Sequence, residues 1–235
     1  MLVIGHRGAR GLFIENSLDL FRAALESGAD IIEFDIQATN DDHLIVCHSM
    51  GSPKKVFGIT RPIDDLSWRE LQKYKNKDGE QIPIFDEVMD VIGKKQVMVD
   101  IKNLGAANIF VEALKNKGYK NVWLVNSLLP EALAIVKKSY PNLNLSLQAY
   151  KRPFKTIRLA KKMGLSHIGL VLYLLNPLTY WVARRLGLQI LVYQNYASFL
   201  LTWPWFVRIL IFLYPNIDVI TDRPDKLALL SEKSQ

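Results

Sequence analysis

Side chains capable of acid–base and metal chemistry stand at the ends of short apolar runs in this sequence of 235 residues. Two histidines, three carboxylates, one arginine and one lysine share this placement: His6, His48, Glu33, Asp35, Asp100, Arg7 and Lys102. A charged group in an apolar environment is costly unless it is paired or binds a metal ion. Their convergence therefore indicates a metal site with a phosphate pocket beside it.

The three carboxylates have the chemistry of a divalent-cation site. Glu33 and Asp35 lie two residues apart in the run IIEFDIQ, so both side chains point to the same side of a strand. Asp100 and Lys102 have the same spacing in VMVDIK. Carboxylate oxygens are hard ligands that suit Mg²⁺ or Ca²⁺, and no cysteine and histidine cluster has zinc spacing. The sequence therefore predicts one bound divalent cation, Mg²⁺ or Ca²⁺.

The remaining charged residues indicate phosphate chemistry. Arg7 and Lys102 can hold phosphate oxygens and neutralise the charge that develops during a reaction. His6 and His48 belong to different predicted strands, so they can lie on opposite sides of one phosphorus atom. One histidine would then remove a proton from the nucleophile while the other protonates the leaving oxygen. The sequence does not decide which histidine is the acid.

The elements that must position these side chains alternate along the chain. Nine apolar runs predict strands at 2–5, 31–37, 44–48, 97–101, 122–125, 143–148, 167–172, 188–194 and 217–221. Amphipathic segments between them predict helices at 17–27, 84–93, 106–117, 130–139, 154–163 and 176–186. Alternating strands and helices are typical of a parallel sheet, whose site lies at the carboxyl ends of the strands.

The length favours a TIM (β/α)8 barrel, which typically needs ~250 residues. One of the nine strands is then surplus, and the doubtful pair is 31–37 and 44–48, whose connection is too short for a helix. An open, doubly wound sheet is the alternative, although the turn GHRGARG lacks the glycine pattern of a dinucleotide-binding fold. Residues 50–83, with a short helix candidate at 66–74, are interpreted as a small insertion within a single domain of residues 1–235.

Composition and charge restrict the class of protein. Hydrophobic residues make up 49% and charged residues 23%, which excludes a disordered chain. The net charge of +7 favours an anionic partner; because the charge is dispersed and no nucleic-acid motif is present, we expect no nucleic acid. Cys47, the single cysteine, excludes an internal disulfide and is expected to be buried. The N-terminus does not resemble a signal peptide, so the expected compartment is the cytoplasm.

Six motifs follow one another along nearly the whole chain. They are GHRG at 5–8, ENS at 15–17, EFD at 33–35, the histidine at 48, DIK at 100–102 and ITDRP at 220–224. In this order they resemble the glycerophosphodiester phosphodiesterase family. The resemblance implies a TIM barrel with a small insertion, a divalent-metal site, and hydrolysis of glycerophosphodiesters to glycerol 3-phosphate and an alcohol.

The resemblance also implies a role for each matching position. The roles are His6 and His48 as the acid–base pair, Arg7 and Lys102 on the phosphate, and Glu33, Asp35 and Asp100 as metal ligands. Candidate pocket residues are Glu15, Asn16, Gln148, Tyr193 and Asn195.

Three positions depart from the family pattern. Ser49 stands where the family usually has aspartate, and Asp100 stands where glutamate is common. Tyr193 replaces the usual tryptophan at a position expected to shape the pocket. None of the three removes a group that the predicted chemistry needs, so we expect an active enzyme.

Residues 199–214 form an unusually apolar segment. Sixteen residues are short of the ~20 that span a bilayer, and the segment occupies the place of the last outer helix. A buried helix is one interpretation; its two tryptophans and three phenylalanines instead predict contact with a membrane interface. The basic stretch 151–162 is either a solvated helix face or an added attraction to anionic lipid at the inner face of a membrane.

Three functions follow from these observations. The first is metal-dependent hydrolysis of a small glycerophosphodiester. The second, favoured by the apolar segment, is a lysophospholipase D that acts on membrane lysophospholipids. The third, favoured by Ser49 and Asp100, is a catalytically silent peripheral lipid-binding protein.

Overall fold

Eight parallel strands close a barrel in the computed structural model, which describes residues 1–12, 15, 17–48, 52–193 and 199–231. The strands are β1 (Val3–Gly5), β2 (Ile31–Ala38), β3 (Leu44–Val46), β4 (Val97–Ile101), β5 (Val122–Ser127), β6 (Asn144–Ala149), β7 (His167–Val171), β8 (Gln189–Tyr193) and β9 (Ile217–Thr221). Around the barrel the order is β1, β9, β8, β7, β6, β5, β4 and β2, and β2 pairs with β1 to close it. The predicted TIM barrel is confirmed.

Helices follow the strands and pack on the outside of the barrel. They are α1 (Leu18–Glu26), α2 (Ser52–Phe57), α3 (Trp68–Leu71), α4 (Phe85–Ile92), α5 (Leu104–Lys117), α6 (Pro130–Ser139), α7 (Pro153–Lys162), α8 (Pro177–Arg185), α9 (Pro204–Leu213) and α10 (Pro224–Leu227). The side chains of Ser17, Asn103 and Asn176 accept hydrogen bonds from the first turns of α1, α5 and α8, which fixes where these helices begin.

The surplus strand is β3. It pairs antiparallel with β2 through Gln37 and Ile45 and lies outside the closed barrel, as the short connection between the two runs predicted. The other departure is at β5, which continues to Ser127 where the sequence predicted an end at Val125. That extension brings one more polar side chain to the carboxyl end of the barrel.

Apolar side chains are buried in three places. The main core lies between barrel and helices and includes Phe21, Phe34 and Phe85. A smaller core of residues such as Ile4 and Leu191 fills the barrel interior. Because these side chains pack the interior, a ligand on the barrel axis is expected at the mouth of the barrel.

A third core belongs to the region that follows β3. Residues between Phe57 and Ile82 pack with Ile45 and with the fully buried Cys47, as expected of a small core cysteine. This local core supports our interpretation of 50–83 as an insertion that is stabilised by its own contacts while the rest of residues 1–235 form one domain. Residues 50 and 51 lie outside the described part of the chain.

The apolar segment 199–214 contains a short 3₁₀ turn, Leu200–Thr202, and the ten-residue helix α9. Among the described residues, the length and apolar character that a membrane-crossing helix requires occur together in no helix.

The aromatic cluster around α4 yields a test of the fold. Phe85 is buried with its ring centroid 6.0 Å from that of Phe34 and 5.7 Å from that of Phe110. We expect Phe85→Ala to lower the free energy of unfolding by ~3–5 kcal/mol, because it empties the space between α4 and the barrel. The exposed Leu229→Ala should change it by less than ~0.5 kcal/mol. Equal urea denaturation midpoints for the two variants would contradict the packing described.

Candidate active site

A pocket of about 570 Å³, open to solvent, lies at the carboxyl ends of the strands. All seven residues that the sequence singled out for chemistry line it: His6, Arg7, Glu33, Asp35, His48, Asp100 and Lys102. The structure therefore brings together side chains from β2 and β4 and from the residues that follow β1, β3 and β4.

The turn after β1 depends on close backbone contacts. A Cβ atom on Gly5 would lie 2.2 Å from the carbonyl oxygen of Gly8, so no larger residue fits there. Arg7 and Gly8 both have positive φ angles, 49° and 90°. The Arg7 N–H donates to Glu33 Oε2 at 2.7 Å and the Gly8 N–H donates to the Glu33 carbonyl at 2.8 Å. These bonds fix the turn against the end of β2, and strain of this kind is often found at functional sites.

Glu33, Asp35 and Asp100 form one buried acidic cluster. Glu33 and Asp35 alternate with apolar residues along β2, and Asp35 stands directly beside Asp100 in the register of β2 and β4. One oxygen from each carboxylate lies within 4.8 Å of the others, and all three side chains are buried. The predicted two-residue spacing is thus what brings the three groups together.

Two buried cations are paired with this cluster. Lys102 Nζ lies 2.8 Å from Asp35 Oδ1 and 2.7 Å from Asp100 Oδ2. Arg7 Nε lies 3.3 Å from Asp35 Oδ2, and the other end of its guanidinium group donates to Glu15. The residues predicted to hold phosphate are therefore fixed in place by carboxylates at the edge of the pocket.

The pKa shifts of the carboxylates indicate that the nearby cations do not fully balance the negative charge of the cluster. Burial raises the pKa of Glu33 well above its usual value, and the neighbouring Asp35 and Asp100 raise it further. The pKa of Asp100 is also raised, chiefly by burial, although Lys102 opposes the shift. Burial acts on Asp35 as well, but Lys102, His48 and Arg7 together outweigh it and hold the pKa of Asp35 below its usual range. An added cation would oppose the upward shifts of the pKa values of Glu33 and Asp100.

The residues present fit a divalent cation. Three buried carboxylates are an oxygen donor set of the kind that Mg²⁺ and Ca²⁺ prefer. Asp100 Oδ1 is buried and has no hydrogen-bond partner among the described residues, so it can serve as a ligand. Asp100 Oδ2 is already held by Lys102 and by the Asn126 amide, which donates at 2.9 Å. The shorter side chain of Asp100 therefore still presents an oxygen to the cluster.

His6 is held by a partner from the far end of the chain. Its Nδ1 lies 2.6 Å from Asp222 Oδ1, and Arg10 donates to both oxygens of Asp222, from Nε at 3.1 Å and from Nη2 at 2.7 Å. Burial lowers the pKa of His6, and the bond to Asp222 offsets part of that effect. Burial acts to raise the pKa of Asp222, but bonds from His6 and Arg10 outweigh it and lower that pKa. Asp222 thus stays ionised and fixes the ring.

His48 lines the same pocket in a different environment. Burial lowers its pKa to about 4, an effect that the Asp35 carboxylate opposes. Its Nδ1 is buried and has no hydrogen-bond partner in the described parts of the chain. The two histidines are therefore not equivalent, because one is oriented by a carboxylate and the other is not.

The structure describes some of the predicted pocket residues and not others. Gln148 and Tyr193 line the pocket, from β6 and β8. Glu15 pairs with Arg7. Asn16 and Asn195, like the departure at Ser49, lie outside the described residues.

Three polar residues of the pocket were missed by the sequence reasoning: Arg10, Asn126 and Tyr150. Asn126 was missed because the run after Val122 was ended one residue too early. Asp222 was visible as a strand-end carboxylate, but its partner His6 is 216 residues away in the chain. No local pattern signals Arg10 or that pairing.

A model of the glycerophosphoryl diester phosphodiesterase family matches residues 6–138, which is more than half of the chain. The chain belongs to this family. The matched region includes all seven residues that the sequence singled out for chemistry, among them the whole acidic cluster and both histidines.

Relatives and solved structures agree with the family match. A glycerophosphodiester phosphodiesterase from Caldanaerobacter subterraneus subsp. tengcongensis is 31% identical over 160 residues, which are 62% of this chain and 65% of that protein. The fold of an Oleispira antarctica phosphodiesterase, solved with the product sn-glycerol-3-phosphate, superposes with a TM-score of 0.84 at 18% identity, covering 98% and 97% of the two chains. A Galdieria sulphuraria structure described as a putative glycerophosphodiester phosphodiesterase gives 0.82 at 18% identity, covering 97% and 96%.

The raised pKa of Glu33 predicts how stability depends on pH in the absence of metal. A raised pKa in the folded state stabilises the fold below the unfolded value of ~4.3, and this contribution is lost as pH rises through the folded pKa. We expect the thermal midpoint of the chelator-treated protein to fall over that range, and Mg²⁺ to restore it. Glu33→Gln should remove both effects, whereas the exposed Asp78→Asn should retain them. An unchanged pH profile in Glu33→Gln would contradict the charge balance described.

Proposed function

We propose that the protein hydrolyses glycerophosphodiesters to glycerol 3-phosphate and an alcohol. One observation carries the proposal: two histidines that follow β1 and β3 and three buried carboxylates of β2 and β4 line a single pocket. Membership of the family supports the reaction class. The relative from Caldanaerobacter, named for this activity, supports the substrate class.

The pocket has cations to bind the phosphodiester. Arg7 and Lys102 line it and are held by Glu15, Asp35 and Asp100, so they are oriented before substrate arrives. A divalent cation held by Glu33, Asp35 and Asp100 would add positive charge beside the phosphate and stabilise the charge that develops on its oxygens. The carboxylate donor set supports Mg²⁺ or Ca²⁺ as that ion.

Proton transfer is assigned to His6 and His48. Because Asp222 holds Nδ1 of His6, the Nε2 atom is the one free for proton exchange with substrate. His48 lies on a different part of the pocket wall, two residues after the end of β3. One ring takes the proton from the attacking oxygen, the other gives a proton to the alcohol oxygen as the P–O bond breaks, and the two protons balance.

Two acceptors in the pocket suit the hydroxyl groups of glycerol or of the alcohol. Asn126 Oδ1 and Gln148 Oε1 are buried without a hydrogen-bond partner among the described residues, and both side chains line the pocket. An unpaired buried acceptor costs free energy until a donor reaches it. A hydroxyl-bearing substrate would supply that donor.

The two other functions are less well supported. A catalytically silent protein would not need two histidines beside an intact acidic cluster, and the Asp100 oxygen remains available there. The relative from Caldanaerobacter is named for activity on glycerophosphodiesters and not on lysophospholipids. A cytoplasmic location and contact with the inner face of a membrane stay predictions.

The direct test is release of glycerol 3-phosphate from glycerophosphocholine with Mg²⁺, Ca²⁺ or Mn²⁺, before and after a chelator. We expect turnover that the chelator abolishes. His6→Ala and His48→Ala should each lose ~10²–10⁴-fold in kcat, because each removes one proton-transfer group. His43→Ala, which changes an exposed histidine, is the matched control and should remain active.

No turnover with any of the three cations would reject the proposal, and a fully active His6→Ala or His48→Ala would remove that residue from the mechanism. Release of lysophosphatidic acid from lysophosphatidylcholine, without turnover of glycerophosphocholine, would favour lysophospholipase D instead.

Asp222→Asn would reveal which proton-transfer role His6 has. Without the carboxylate the pKa of His6 falls, so the limb of the pH profile of kcat/KM that depends on His6 moves to lower pH. A shift of the acidic limb would identify His6 as the base, and a shift of the basic limb would identify it as the acid. If neither limb moves, Asp222 does not orient a titrating His6.

A further inference from the structure

Helices α8 and α9 present large apolar side chains to solvent. We define this apolar face by Trp181, Phe199, Trp203, Trp205, Ile209 and Phe212, each of which is classed as exposed. The exposed fraction is 57% for Trp205 and 86% for Phe212. Contiguous apolar surface of this kind on a single protein commonly marks a site of interaction.

The outer side of α9 is as apolar as its inner side. Val207 and Leu210 are buried against the barrel, whereas Trp205, Ile209 and Phe212 follow one another at helical spacing on the opposite side. A barrel helix needs a single apolar stripe to pack. Packing against the barrel therefore does not explain the apolar residues on the outer side of α9.

The aromatic residues on this face suit a lipid interface. Trp203 and Trp205 stack with ring centroids 5.8 Å apart, and both are exposed. Tryptophan prefers the boundary between lipid headgroups and acyl chains, because its ring is apolar and its N–H is polar. A helix with such residues lies in the plane of the interface and does not cross it.

The segment of the chain that carries the apolar face has charged residues of positive sign only. Residues 132–217 contain eleven lysines and arginines and no aspartate or glutamate, whereas the remaining residues contain 19 basic and 23 acidic groups. Arg185 lies over the Trp181 ring at 5.4 Å, and Arg208 is exposed on α9 itself. The basic helix α7 packs beside α8. The whole net charge of +7 therefore comes from the part of the chain that carries the apolar face.

The turn that leads into α8 contacts a residue of the catalytic pocket. Tyr150 lines the pocket and directly precedes the basic stretch that leads into α7. The Tyr173 hydroxyl, in the turn before α8, donates to the Tyr150 carbonyl. The pocket mouth and the elements that carry the apolar face are thus joined by a direct contact.

We propose that α8 and α9 dock on an anionic lipid bilayer, with the apolar face inserted at the interface and the cations of α7 and α8 on the lipid headgroups. The combination of a broad apolar stripe and surrounding positive charge favours lipid over nucleic acid, which offers no apolar phase to bury tryptophan. It also disfavours a second copy of the chain, since two such positively charged surfaces would repel. Docking does not depend on the proposed hydrolysis.

Co-sedimentation with vesicles tests the proposal. The wild type should bind vesicles of mixed phosphatidylcholine and phosphatidylglycerol, bind phosphatidylcholine alone much more weakly, and dissociate as salt is raised. Tryptophan emission should shift to shorter wavelength on binding, because Trp181, Trp203 and Trp205 leave water. The triple variant Trp205→Ser, Ile209→Ser, Phe212→Ser should lose more than about tenfold in vesicle affinity.

Matched variants separate docking from misfolding. Leu25→Ser with Leu229→Ser removes exposed leucines elsewhere and should bind as the wild type does. Lys155→Glu with Arg158→Glu should weaken binding, whereas Lys75→Glu with Lys77→Glu, in the region after β3, should not. The triple variant should retain its circular dichroism and its thermal midpoint, and unchanged turnover of glycerophosphocholine would be a second sign of its fold.

Three results would overturn the proposal: no vesicle binding by the wild type, equal binding to neutral and anionic vesicles, or full binding by the triple variant. A dimer that dissociates only in the triple variant, without vesicle binding, would assign the face to a second copy. Absence of phosphodiester turnover alongside normal vesicle binding would reject the proposed hydrolysis and leave docking intact.

Discussion

The structure of the barrel mouth depends on three carboxylates whose negative charge costs free energy to bury. Glu33, Asp35 and Asp100 lie within reach of one another away from water, where each ionised group costs several kcal/mol unless it is paired. Lys102 bridges two of them, and the turn after β1 directs a backbone N–H at the third. The raised pKa of Glu33 shows that these partners do not suffice. A divalent cation held by the three carboxylates would supply the positive charge that the cluster still lacks.

The barrel brings these side chains together because their strands are neighbours in the sheet. Asp35 and Asp100 meet because β2 and β4 are neighbours in register, although β3 and residues 52–83 separate them in the chain. His6 reaches the same pocket because β1 closes the barrel beside β2. β3 stays outside the ring of eight because it pairs antiparallel with the last three residues of β2. Function thus depends on the closed strand order more than on any single loop.

The sequence predicted those features of the site that depend on residues close together in the chain. The two-residue spacing of Glu33 and Asp35 placed both side chains on one face, and the structure confirms that they meet Asp100. The bond between His6 and Asp222 was not predictable, since 216 residues separate partners that only barrel closure brings together. The outward direction of Trp205 and Phe212 was also hidden, because an apolar helix has no periodicity to show which side faces solvent. The bond and the outward direction of these side chains are visible only in the tertiary structure.

The central claim is that the acidic cluster holds a cation beside a phosphate flanked by two histidines. It is tested most directly by a crystal structure of the protein with Mn²⁺ and glycerol 3-phosphate, using anomalous scattering to locate the metal. The account predicts a manganese peak among Glu33, Asp35 and Asp100, with the phosphate between His6 and His48. A manganese ion bound elsewhere, or a phosphate held away from both histidines, would contradict it.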